Sequence, residues 1–420
     1  MKKFTGILLA ALLFLSITGC QNETEIQNQI SDTKNTSALN SEISENNEPS
    51  DEEADDNNFL NEIVDKDGRH IGEIKINGSC TMTNKGIFYT TVKNAPPSDT
   101  VTVGANGKAD VYYHLYDIET DKKYDFGNMP EQDYEAGYVR TEMNDKLYTL
   151  VTTGNALDNI PDPLILLEFD LTEHSMKQYK ISDNGFPYTA MTVANGNLLI
   201  LNHDQTQQLY DKVYMFDTDT KEVSQVLQFE LTDNKGDTIR QIYSDEKNIY
   251  ILRLHFEDES YVNMFVDTYD FNFKKQYEND ISSMLKESVE KELVSEDVLN
   301  EMKQMASRFI MLDGKYIYYE NFSATRFFGN IENKQLFNEI NGMSLASFGS
   351  GKPFFYYIYG ERTIFEWKNN TLEKSVLKTD DERYYIVSAS ISENGKKLIQ
   401  VDYTNPNDNS DTLPTKLYCI

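Results

Sequence analysis

Two short signals alternate along residues 65–420, and their spacing decides what the chain can fold into. A turn followed by an apolar, aromatic-rich run occurs at Asn84-Lys85-Gly86, Asn144-Asp145-Lys146, Asn195-Gly196-Asn197 and Asp245-Glu246-Lys247-Asn248. It returns at Asp313-Gly314-Lys315, Ser350-Gly351-Lys352 and Asn394-Gly395-Lys396, which makes seven copies. Asn-Gly and Asp-Gly between apolar runs mark tight hairpins whose central residues need positive φ. The second signal is an alternating strand ending in an aromatic residue and an Asp, as in Tyr116-Asp117, Phe169-Asp170, Phe216-Asp217 and Tyr269-Asp270. Weaker copies sit at Asn330 and over Trp367–Thr371, and the Asp of the clear copies opens a turn by bonding its own backbone two residues on.

Two hairpins per period of roughly 50 residues make a four-stranded antiparallel unit. Seven such units predict an all-β chain, a seven-bladed β-propeller in which radial repetition leaves only short edges. Gly-His and Trp-Asp repeat signatures are absent, so the architecture carries no named propeller family. The last unit stops at Leu417-Tyr418-Cys419-Ile420, short of its final strand. The missing piece lies at the other end: Asp65 stands in register with the Asp series, and residues 69–77 alternate as a strand. Residues 69–77 are therefore expected to pair near 416–420, an N-terminal strand closing the last blade. One insertion breaks the pattern. Apolar spacing over 281–308 is helical and predicts two short helices, 281–293 and 296–308, the second opened by Ser295, Glu296 and Asp297. They cover a sheet edge or dock a partner.

The N-terminus has a different character. Lys2 and Lys3 precede an apolar run over residues 7–15, which is too short to span a bilayer, and Ile17-Thr18-Gly19-Cys20 follows. This ending resembles the lipobox of the bacterial lipoprotein family. The resemblance implies that residues 1–19 are a signal peptide and that Cys20 becomes a lipidated mature N-terminus. It places the protein on the extracytoplasmic face of a Gram-positive-type cell membrane, anchored through lipid on Cys20. Residues 20–64 read as a disordered acidic tether. Residues 21–68 hold fourteen Asp and Glu against Lys34 and Lys66, with almost no aromatic residue, so the segment cannot bury enough apolar area to order itself. The propeller domain is expected over 65–420.

A net charge of −30 argues against nucleic acid, whose binding relies on Lys and Arg releasing counterions. Beyond Cys20 only Cys80 and Cys419 remain. Ring closure would bring them into one neighbourhood, as a disulfide or as two separate buried thiols. His70, His114, His174, His203 and His255 fall in separate repeats without metal-ligand spacing, and neither HExxH, CxxC nor a G-x-S-x-G elbow occurs. Ser350-Gly351-Lys352 lacks the rest of a phosphate loop. The acidic loops at Asp65–Gly68 and Asn405–Asp411 can hold Ca²⁺ or be plain turns, and neither fits the twelve-residue calcium loop. Tyr112-Tyr113, Tyr316–Tyr319 and Phe354–Tyr357 lie inside strands and read as core packing between blades. No catalytic constellation, metal site or cofactor is expected. The function these features imply is a lipid-anchored binding propeller that presents its loops to a protein or glycan. The alternatives are an envelope hydrolase or lyase with a site at the central channel, and a scaffolding subunit of a membrane complex.

Overall fold

The computed structural model describes residues 59–420 apart from 94–107, 134–138, 153–161, 186–189, 205–208, 233–234, 258–261, 291–305, 322–325, 337–342, 346, 349–354, 369–370 and 404–414. The chain opens with a hairpin, β1 (Phe59–Asp65) and β2 (His70–Ile76). The first blade is β3 (Cys80–Thr83), β4 (Gly86–Lys93), β5 (Lys108–Asp117) and β6 (Lys122–Asp133). The second is β7 (Arg140–Met143), β8 (Lys146–Thr152), β9 (Asp162–Asp170) and β10 (Ser175–Gly185). The third is β11 (Ala190–Ala194), β12 (Asn197–Asp204), β13 (Leu209–Phe216) and β14 (Val223–Thr232). The fourth is β15 (Lys235–Ser244), β16 (Ile249–Phe256), β17 (Val262–Tyr269) and β18 (Lys275–Asp280), followed by helix α1 (Ile281–Glu290).

The fifth blade is β19 (Ala306–Leu312), β20 (Tyr316–Asn321), β21 (Arg326–Asn330) and β22 (Gln335–Leu336). In the sixth, a two-residue strand, β24 (Ser347–Phe348), lies between β23 (Met343–Leu345) and β25 (Phe355–Ile358) in sequence. That blade's sheet runs from β23 through β25 and β26 (Thr363–Lys368) to β27 (Thr371–Val376). The seventh runs from β28 (Tyr384–Ile391) through β29 (Lys397–Tyr403) to β30 (Lys416–Cys419), and the N-terminal hairpin completes it. The molecule is a seven-bladed β-propeller.

Turn chemistry explains the repeat. The inner hairpins place Asn144 and Asp145 at φ 55° and 57°, Asn195 and Gly196 at 48° and 79°, and Asp313 and Gly314 at 51° and 67°. These pairs of left-handed residues match the twist of the strands they join. At the outer turns Asp65, Asp117, Asp170, Asp217, Asp270 and Asn330 each accept the backbone N–H two residues on, at 2.9–3.0 Å. Four of these turns close on a left-handed residue four positions later: Asp121, His174, Lys221 and Lys334.

The core is a set of apolar clusters between neighbouring blades. Phe88, Tyr113, Leu167 and Phe169 join the first two blades, and Leu199, Val213, Ile249 and Ile251 join the third and fourth. Tyr318, Phe328, Leu252 and Leu254 join the fourth and fifth. The aromatic runs Tyr112-Tyr113 and Tyr316–Tyr319 feed this packing through Tyr113, Tyr318 and Tyr319, which are fully buried. Ile281, Met284 and Leu285 of α1 are buried in the same cluster as Phe328 and Leu336, so this helix covers a blade edge. The expected second helix falls mostly outside the described residues, and its last residues, 306–308, begin strand β19.

Ring closure differs in detail from the expectation. The strand beside β30 is β1, in parallel register (Glu62↔Lys416 through Asp65↔Cys419), while residues 70–76 form a fifth strand antiparallel to β1. Residues 59–64, expected within the acidic tether, are strand β1. The reason is local. Ile63 and Val64 are 0% exposed, Ile63 packing toward the first blade and Val64 toward the sixth, and this burial outweighs the acidic surroundings. Lys416, 8% exposed, bridges Glu62 at 3.2 Å and Asp380 at 2.7 Å across the junction. Gly72 fits beneath Tyr116, since a Cβ there would lie 2.0 Å from the Tyr116 hydroxyl oxygen.

On the axial side of the seventh blade, β24 pairs with β28 in parallel, Ser347 opposite Ser390 and Phe348 opposite Ile391. Because β28 is the innermost strand of its blade, β24 lies in the central channel, where it also approaches β7 of the second blade.

Candidate functional site

The fourth blade carries a cleft of about 350 Å³, lined by Phe229 of β14 and by residues from all four of the blade's own strands. Strand alternation builds it. Asp237 on β15 lies opposite His255 on β16, Arg253 lies opposite Phe265 on β17, and Asp267 on β17 lies opposite Glu278 on β18. Ile249 and Ile251, on the same face of β16, turn into the core with the third blade, so the outer half of that face is left to polar groups.

Arg253 is the hub. Its Nε donates to Asp267 Oδ2 at 2.8 Å and its Nη2 to Asp267 Oδ1 at 3.3 Å. Nη2 also reaches Glu278 Oε2 at 2.8 Å, and Nη1 donates to Asp237. The guanidinium lies 4.6 Å from the Phe265 ring centroid. Lys275 Nζ bonds Asp267 Oδ1 at 2.9 Å and also reaches Glu278. Asp267 is 0% exposed and Arg253 6%, so the pair sits in low dielectric. Burial works against the Arg253 charge, but the Asp267 bonds and the Asp267 and Asp237 charges win and hold its proton more tightly than usual. Lys275 holds the Glu278 carboxyl below its ordinary range. Burial pushes the Tyr269 hydroxyl up to about 12. His255 Nδ1 meets Asp237 Oδ1 at 2.9 Å.

Three carboxylates against two cations leave the lining net negative, with Arg253 engaged by its own partners. Asp237 and Glu278, 35% and 45% exposed, face a ligand most directly. Phe229, Phe265 and Tyr269 supply an apolar wall. Among the described residues the lining has no Ser, Thr or Cys beside the Asp237–His255 pair.

A second cluster locks the inner turns of the seventh, first and second blades. Glu142, 3% exposed, accepts the Asn84 N–H at 2.6 Å and the Glu393 N–H at 3.0 Å. The Asn394 N–H donates to Asn84 Oδ1 at 2.9 Å, and Glu393 Oε2 accepts the Asn144 N–H at 3.2 Å. Burial raises the Glu142 carboxyl to about 7, the Glu393 and Asp145 charges adding to the rise and the two N–H bonds opposing it. Both carboxyl oxygens are spent on backbone, so this cluster is a clamp between turns.

Cys20 and the Asn405–Asp411 and Ser350–Lys352 loops lie outside the described residues. Asp65 is consumed by its own turn and by Arg69, whose Nε donates at 2.7 Å, so that loop is a turn. Among the described residues no group of three or more His, Cys, Asp and Glu is placed to hold a metal ion, and no helix is long and apolar enough to cross a membrane. His114 bonds Thr91 at 2.9 Å, His174 stacks on Tyr124 at 3.5 Å, and His70 meets Glu62 at 3.3 Å. His203 lies on β12. Cys80 and Cys419 are free thiols packed in one cluster at the ring junction. The cleft itself was not anticipated. Its trace in the sequence is a charged residue inside a mainly apolar strand: Arg253 in Ile249–Phe256 and Asp267 in Val262–Tyr269.

No protein-family model and no curated protein matches the sequence. Among solved structures, the β-propeller domain of the Trilobed protease from Pyrococcus furiosus is similar at 12% identity, over 81% of this chain and 94% of that one, with a TM-score of 0.45. A chain of the Mitotic Checkpoint Complex is similar at 8% identity over 91% and 98%, with a TM-score of 0.41. A 6-phosphogluconolactonase-like protein from Bacteroides fragilis is similar at 12% identity over 81% and 99%, with a TM-score of 0.38. Likeness this distant carries no chemistry, and the blade count rests on the strand pairing described above.

Proposed function

We propose that the chain is a lipid-anchored extracytoplasmic binding protein whose fourth blade takes an envelope glycan or amino sugar. The observation that carries this reading is the cleft. Exposed carboxylate edges at Asp237 and Glu278 accept hydrogen bonds from hydroxyl or ammonium groups, beside an apolar wall of Phe229, Phe265 and Tyr269 for a sugar's C–H face. The central channel is a weaker site, because β24 occupies it. The anchor rests on the lipobox-like ending at Cys20.

Calorimetric titration of the full mature protein with soluble wall-glycan fragments tests the reading. Saturable binding is expected, weakened at least tenfold by Asp237→Asn. Equal affinity in that variant would refute it. The Asp237–His255 pair gives the enzyme alternative its one specific support, and turnover of such fragments, lost in His255→Gln, would favour it. Membrane release after Cys20→Ala tests the anchor, and a variant that stays membrane-bound would sink it.

A further inference from the structure

Cys80 and Cys419 come from opposite ends of the body and meet at the junction between the seventh and first blades. Cys80 starts β3, and its Sγ lies 3.9 Å from Gln400 Oε1 on β29. Cys419 ends β30 and lies opposite Leu398 on β29. Leu398 and Gln400 are two residues apart, so they share one face of that strand. Leu398 packs into the cluster that holds both cysteines together with Met82, Ile87 and Leu417. The two thiols therefore approach the same patch of β29 from either side of the blade contact, and no other cysteine is described. The backbone closure they flank is short: four residue pairs join β1 to β30.

We propose that Cys80 and Cys419 are a redox staple, joining as a disulfide that ties the first inner strand to the C-terminal strand across the ring junction. The oxidant is a small organic disulfide or the active-site disulfide of an envelope oxidoreductase. One cysteine thiolate attacks it, forming a mixed disulfide and expelling one thiolate. The second cysteine thiolate then displaces the other half. Two protein thiols are oxidised, one reagent disulfide is reduced to two thiols, and the cysteine protons end on those thiols. Burial holds the Cys80 thiol up at about 11 and the Cys419 thiol at about 12, so little thiolate exists at neutral pH and the reduced state is slow to react.

The test uses the full mature protein incubated with glutathione disulfide at pH 8.5, then peptide mapping and thermal melting. The expected result is a peptide linking Cys80 to Cys419 and a thermal midpoint raised by about 5 °C, reversed by dithiothreitol, for a loop of about 340 residues. Cys419→Ser should lose both the link and the rise. Separate glutathione adducts on the two cysteines of the wild-type chain would overturn the proposal, as would a linked peptide with an unchanged midpoint. The wild-type peptide map decides the matter even where the variant folds poorly.

Discussion

Replacing Glu142 by Gln should change how stability depends on pH. The carboxyl is 3% exposed, bonded to two backbone N–H groups and raised to about 7, whereas an unfolded chain titrates Glu near 4.5. Below pH 4.5 both states are protonated and ionisation costs nothing. Between 4.5 and 7 the unfolded chain releases a proton that the folded chain keeps, so stability falls as pH rises. Above 7 both states are ionised and the loss is complete. A gap of about 2.5 pH units is worth about 3 kcal/mol. The amide has one acceptor oxygen for two N–H donors, which costs the variant about 1–3 kcal/mol at every pH. The pH-dependent part is therefore the signature. For a body of about 360 residues, 3 kcal/mol corresponds to about 4 °C. Thermal melts of wild type and Glu142→Gln at pH 5, 6, 7 and 8 should show the variant gaining about 3 °C relative to wild type across the series, since part of the loss already falls below pH 5. Titration elsewhere in the protein cancels in that difference. A difference that stays flat, or that moves the other way, would refute a buried carboxyl at this position.

Other substitutions probe other parts of the structure. Arg253→Met leaves Asp267 buried with only Lys275 as a cation, and should destabilise by about 3 kcal/mol, the low end for a broken buried pair, in chemical denaturation. Gly72→Ala drives a Cβ against the Tyr116 hydroxyl and should cost about 1–3 kcal/mol by calorimetry. Asp217→Ala removes the acceptor for the Asp219 and Thr220 N–H groups and should cost about 1 kcal/mol in the same assay.

The repeat was legible because its cause is local. An Asp that accepts the N–H two residues on, and an Asn-Gly pair with positive φ, act within a few residues, so both announce themselves at every blade. Ring closure was half legible. Asp65 reveals its turn, but Ile63 and Val64 stand among Asn61, Glu62 and Asp65, and only the folded ring shows where they are buried. A parallel pairing such as β1 with β30 leaves no turn to read. The cleft was hidden for a different reason. Asp237, Arg253, Asp267 and Glu278 come from four strands, and their meeting depends on register, which periodicity does not report. The pairing of β24 inside the channel rests on two residues, too few for any pattern.

Carboxyl footprinting tests the cleft most directly. Asp237 and Glu278 are exposed enough to react with a carbodiimide and an amine in the free protein. With wall-glycan fragments bound, their labelling should fall at least threefold while the exposed Asp183 and Glu119 label as before. Unchanged labelling at Asp237 and Glu278 under saturating ligand would contradict a binding site on the fourth blade.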